Sequence, residues 1–142
     1  RQVEPFSFLP DYEGIWCYDL KDKKNKQFRL SRIREVTLLH LSWMHEEKHR
    51  ADFTDAFRIS APQPIDRVIA TLNLKAYNLL REEYPMAASH VQQKGKRYLL
   101  DIPVAGYEGV GRFVLGLPGE IDISGSESFM KFLKEKLKKQ KK

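Results

Sequence analysis

The chain has 142 residues, 42% of them hydrophobic, with 25 Lys and Arg against 19 Asp and Glu. That length suits one ordinary domain or two small ones, and no apolar run approaches the ~18 residues needed to span a bilayer. One cysteine, Cys17, excludes an internal disulfide and suits a reducing compartment, so a soluble cytoplasmic chain with no membrane association is expected. The net charge of +6 is local. Residues 131–142 (KFLKEKLKKQKK) hold seven lysines and one glutamate, and residues 21–34 (KDKKNKQFRLSRIR) hold seven basic residues and one aspartate. The lysine tail reads as a solvated end. The first cluster, mixed with apolar and aromatic residues, reads as a site. The chain opens on Arg1 in what looks like the middle of a domain, so a fragment of a longer protein is expected.

In chain order, RQVEPFSFLP, GIWCYDL, KQFRLSRI and EVTLLHLSW read as strands, separated by turn signals at PDYEG and KDKKN. Short strands at this spacing predict a small barrel or sandwich. In KQFRLSRI the alternation places Arg32 on the apolar side, which a bulge near Ser31 would relieve by turning Arg32 to the rim and returning Ile33 to the core. Residues 45–60 read as a polar connector with a helical turn around DFTDAF, and APQP (61–64) as the boundary.

Beyond it, RVIATLNL reads as a strand and KAYNLLREEY as a helix stopped by Pro85. SHVQQ and RYLLDIPV form a hairpin around Lys94 and Gly95, YEGVGRFVLGL a second helix, and EIDIS a last strand. The order β-α-β-β-α-β predicts a ferredoxin-like unit. A final helix follows, with Ser124 and Glu127 as its capping box and Phe129, Phe132, Leu133 and Leu137 as its apolar stripe. Gly106, Gly109 and Gly111 suit close helix packing rather than a phosphate loop. The expected class is α+β, with residues 1–60 and 61–142 as two units.

The run from R-Q-V-E-P through Y-D-L to K-Q-F-R-L-S-R-I resembles the WYL domain of bacterial transcriptional regulators. Members show an R-x-V-x-P opening, a W-Y-L strand, a tyrosine-aspartate pair and an R-t-F-r-l-d-R-I strand. Arg1, Phe28 and Arg32 match directly, whereas Lys26 and Ser31 stand where the family has arginine and aspartate. The downstream segment is similar to the C-terminal extension of such regulators. The resemblance implies an Sm-like or SH3-like barrel whose first strand precedes Arg1, a homodimer, and operator DNA held by a helix-turn-helix domain outside this chain. It implies a non-enzymatic sensor, without cofactor or metal, for a nucleotide-like effector or single-stranded nucleic acid. Lys26, Arg29 and Arg32 would supply cations for phosphate, Trp16 and Tyr18 flat surfaces for bases, and Arg1 a further cation. An oligomerisation unit without ligand is the alternative.

HEEKH at 45–49 is a literal H-E-x-x-H, which in zinc hydrolases puts two histidines one helical turn apart. Its flanks lack a sustained amphipathic helix, so a connector is expected and a zinc hydrolase is the remote alternative. His40 and His90 read as structural, and Cys17, between aromatics and without a positioned histidine, as an inert thiol.

Overall fold

The most apolar strand of the N-terminal half lies in the middle of its sheet. In the computed structural model, which describes residues 1–140, β2 (Gly14–Asp19) pairs antiparallel with β1 (Val3–Phe8) on one side and β3 (Lys24–Arg29) on the other. Trp16, Cys17, Tyr18 and Asp19 are all buried, because a central strand is covered on both faces. The β1 register shifts between Pro5 and Ser7, where a bulge accommodates a residue with no amide proton for the ladder.

β3 ends at Arg29, and Leu30–Arg32 wind into a 3-10 turn. The change of phase expected as a bulge at Ser31 is therefore a helical turn, and Ile33 leaves it exposed rather than re-entering a core. The strand expected over EVTLLHLSW is not formed, since residues 33–43 have no regular structure. The sheet holds three strands and no closed barrel. A strand forms only where a neighbour accepts its ladder, and none lies beside this segment. Glu46–Lys48 form a second 3-10 turn, so HEEKH is a turn and not a helix.

The first compact unit comprises Arg1–Asp52, and the second begins at Phe53, ahead of the expected APQP boundary. Residues 53–60 join the second unit because Phe57 is buried in its core. The helical turn expected around DFTDAF is a small hairpin, β4 (Phe53–Thr54) with β5 (Ser60–Ala61). Asp55 organises its loop: Oδ1 accepts the amides of Phe57 (2.9 Å) and Ile59 (3.0 Å), and Oδ2 accepts that of Ala105 (2.9 Å).

The rest of the second unit runs β6 (Asp66–Leu72), α1 (Leu74–Glu83), β7 (Val91–Lys94), β8 (Arg97–Val104), α2 (Glu108–Leu115), β9 (Ile121–Gly125) and α3 (Glu127–Gln140). Its sheet is antiparallel in the order β7-β8-β6-β9. Val68 and Leu72 of β6, with buried Ala70 between them, alternate into the core with Leu100, Ile102 and Val104 of β8, against Leu80, Val110, Phe113 and Phe129 from the helices. Asn73 caps α1 by accepting the Ala76 amide at 3.0 Å, and the helix stops short of Pro85. Gly109 lets α2 approach closely, since a Cβ there would lie 2.6 Å from Phe57 Cβ and 2.8 Å from its carbonyl oxygen. The α3 cap is Ser126, whose hydroxyl accepts the Phe129 amide at 3.1 Å, and not Ser124, which lies within β9. Ser126 holds a left-handed φ of 87°, and its hydroxyl is bonded to Asp66. Lys141 and Lys142, the last two lysines of the expected tail, lie outside the described residues. Among the described residues no helix is long and apolar enough to cross a membrane.

Candidate anion-binding cleft

Asp19 collects two of the cations that the sequence assigned to a ligand. Its Oδ1 accepts the amides of Lys21 (3.0 Å) and Asp22 (3.1 Å) across the β2–β3 turn. Its Oδ2 accepts from Arg1 Nη1 (3.0 Å) and Lys26 Nζ (3.3 Å). The Asp22 amide and Lys26 outweigh burial and hold the Asp19 carboxyl at about 2. Lys26 is also bonded to Asp22, which with Asp19 raises its own pKa. Arg1 further lies over the Phe28 ring, 5.7 Å from its centroid. Arg1 and Lys26 are thus brought together around an internal carboxylate.

The other predicted residues are dispersed. Trp16 is buried in β2 and Tyr18 is 2% exposed. Arg29 pairs with Asp11 at 3.3 Å and lies 3.9 Å from Glu13. Arg32 ends the first 3-10 turn, exposed and without an ion pair among the described residues. Cys17 is sealed, and burial pushes its thiol up to about 11, which makes it a poor nucleophile.

A different set of residues converges on the sheet. Glu4, Tyr18 and Asn25 stand opposite one another in the ladder, one per strand, and share a face. The chain from Trp43 to Arg50 folds over that row. Glu4, itself buried, accepts the amides of Met44 (2.9 Å) and His45 (3.2 Å) and bonds His49 Nε2 at 2.8 Å. Burial works to raise the Glu4 pKa, but the Met44 amide, His49 and the His45 amide together hold it below the usual carboxylate range. The His49 ring stacks on Phe6 at 4.6 Å and meets Trp43 edge-on at 4.8 Å. Asn25 Nδ2 donates to the Lys48 carbonyl at 3.0 Å, and Asn25 Oδ1 is buried without a hydrogen-bond partner. The histidine held on Glu4 is thus part of a clasp. Among the described residues, no group of three His, Cys, Asp or Glu side chains converges as a metal centre would require.

Where this turn crosses β2 and β3, a cleft of about 460 Å³ is lined by Tyr18, Lys23, Asn25, Lys48, His49 and Arg50, with Glu47 its one carboxylate. Lys23, Lys48 and Arg50 form no ion pair among the described residues. Lys23 lies in the β2–β3 turn with a left-handed φ of 54°, a conformation that costs a side-chain-bearing residue about 1–2 kcal/mol. Sequence reasoning named Tyr18 and placed Lys23 and Asn25 in the basic cluster at 21–34 that reads as a site, but it read HEEKH only as a metal motif or connector and so missed Lys48, His49 and Arg50. The one available signal was that both segments are basic and polar at once. No known family model matches the chain, and a search of curated proteins finds no match.

Proposed function

We propose that the chain is the effector-sensing and dimerisation region of a bacterial transcriptional regulator of the WYL kind. It is a cytoplasmic, non-enzymatic module whose effector is nucleotide-like or a short single-stranded nucleic acid. The observation that carries the reading is the cleft. Three cations without ion-pair partners stand together over the buried Tyr18 and His49 rings, the concentration of positive charge that a phosphate chain requires. Lysine in a strained turn position at the cleft mouth adds to it, because such strain concentrates at binding sites. The three antiparallel strands of the first unit support part of an Sm-like barrel, and the order β7-β8-β6-β9 supports a ferredoxin-like second unit. The mechanism is linkage. An effector that binds one dimer arrangement better shifts the population, and the helix-turn-helix domains change their hold on operator DNA.

The test is titration of the full chain with a fluorescently labelled oligothymidylate and with AMP, at two salt concentrations. Lys48→Ala with Arg50→Ala should weaken binding by about tenfold per lost phosphate contact and flatten the salt dependence. Arg32→Ala and removal of residues 137–142 should each have a smaller effect. Loss of binding in Arg32→Ala alone would move the site to the 3-10 turn, and loss on truncation alone would make the tail the contact. Absence of binding by the wild type would leave an oligomerisation module without ligand, a reading favoured separately by the apolar surface of residues 33–44.

A further inference from the structure

His49 is held in the first unit by a carboxylate on one side and stands among cations on the other. Its Nε2 bonds Glu4 Oε1 at 2.8 Å, its ring stacks on Phe6 and meets Trp43 edge-on, and its side chain is 6% exposed. The Glu4 contact engages one ring nitrogen. Nδ1 forms no hydrogen bond among the described residues, where Asn25 Oδ1 alone is both sealed and unpartnered, so Nδ1 retains access to solvent. Lys23 from the β2–β3 turn, with Lys48 and Arg50 on either side of His49 in the chain, lines the same cleft. Glu47 is the one carboxylate of that lining, the phenol of Tyr18 and the amide of Asn25 complete it, and the His45 ring lies 5.2 Å from that of Tyr18. Beneath the imidazole, Glu4 also accepts the amides of Met44 and His45. Against the upward push of burial, the Met44 amide, His49 and the His45 amide keep the Glu4 carboxyl below the usual range, so it is charged wherever an imidazole titrates.

We propose that His49 is the proton sensor of the cleft, taking up a proton from solvent when an anion is seated on Lys23, Lys48 and Arg50. The inference rests on the reading of the cleft as an anion site. With the cleft empty, the three cations repel a further positive charge and oppose the pull of the Glu4 carboxylate on the ring. A bound phosphodiester or sulfate cancels much of that repulsion, and Glu4 then favours the imidazolium. Protonation breaks no bond of the clasp. Nε2 donates to Glu4 in both states, and the proton goes to Nδ1, which has no hydrogen bond to lose, leaving a ring that donates at both nitrogens. By reciprocity, a ligand that draws a proton onto the ring is bound more tightly once the proton is there, so affinity rises as pH falls through the imidazole range. Because Glu4 also holds the chain that carries Lys48 and Arg50, the proton and the anion are read by one strap.

The experiment uses the full chain and two anions that do not themselves titrate from about pH 5.5 to about pH 8.5, inorganic sulfate and the labelled oligothymidylate. Both should bind about fivefold to tenfold more tightly at the acid end of that range. Calorimetry in two buffers of different ionisation heat should record an uptake of about half a proton per anion at the midpoint, as a tenfold linkage to one site requires. The ring that gains the proton, read from the NMR shifts of the imidazole nitrogens, should be that of His49 and not of His40, His45 or His90. His49→Gln, which keeps a side-chain donor for Glu4 but takes no proton, should flatten the pH dependence. Should that variant fail to fold, the nitrogen shifts of the wild type decide the matter. Binding without pH dependence, proton uptake at another histidine, or a pH dependence that survives His49→Gln and disappears in His45→Gln would overturn the proposal and leave the anion cleft standing. Absence of binding by either anion at any pH would overturn both.

Discussion

RVIATLNL and EVTLLHLSW both read as strands, yet the first supplies most of β6 at the centre of a sheet and the second is bare chain. β6 is flanked by β8 and β9, and its Val68, Ala70 and Leu72 are sealed beneath the helices. Residues 35–43 have the pattern but no neighbour, and their apolar side chains stay in water. Alternation states which face a strand would bury. The ladder is decided by a partner elsewhere in the chain or in another chain, because a backbone amide is satisfied only by a group that reaches it.

The largest test of this contrast is in the second unit. Phe129→Ala, at a fully buried ring, should lower stability by about 3–5 kcal/mol, read as a fall in the denaturation midpoint. A small loss would mean that the core is no better closed than the bare segment. Asp55→Ala should follow at about 2–4 kcal/mol, since it strands the amides of Phe57, Ile59 and Ala105. That loss would show residues 53–60 to be part of the second unit's folding; a loss near zero would return them to a connector. Ser126→Ala should cost about 1 kcal/mol as a lost helix cap, with Ser124→Ala as the control that changes little. Equal effects would restore Ser124 as the cap.

Among these stability changes the Asp19 effect is the one that depends on pH, present in full at neutral pH and lost in acid. Its folded carboxyl titrates at about 2 against an ordinary 3.8. Its contribution is therefore whole above about pH 4 and is lost as pH falls towards 2. Thermal melts of wild type and Asp19→Asn, followed by the fluorescence of Trp16 and Trp43 in the first unit, should differ at pH 5 and converge near pH 2. A difference unchanged by acid would mean that the carboxylate charge takes no part in holding Arg1, Lys26 and the turn.

Much of the second unit was legible because its signals are local. Pro85 stops α1, Lys94 and Gly95 turn the β7–β8 hairpin, and helical spacing from Tyr107 to Leu117 gives α2, so the α+β class and the element order follow from neighbours within a few residues. The candidate site was legible in composition but not in detail. Basic and aromatic residues from 16 to 32 announced charge beside flat rings, yet Arg1 and Lys26 are both directed to Asp19. Lys48 and Arg50, in a segment that read as connector, line the cleft instead. The sequence by itself determined which residues would be buried if a strand or helix formed, since that depends only on period and polarity. The tertiary structure alone decided which carboxylate meets which cation, where the two units divide, and that residues 33–43 go unpaired. Each of those outcomes is a choice among partners far apart in the chain, made by contact and desolvation, and local pattern carries no record of it.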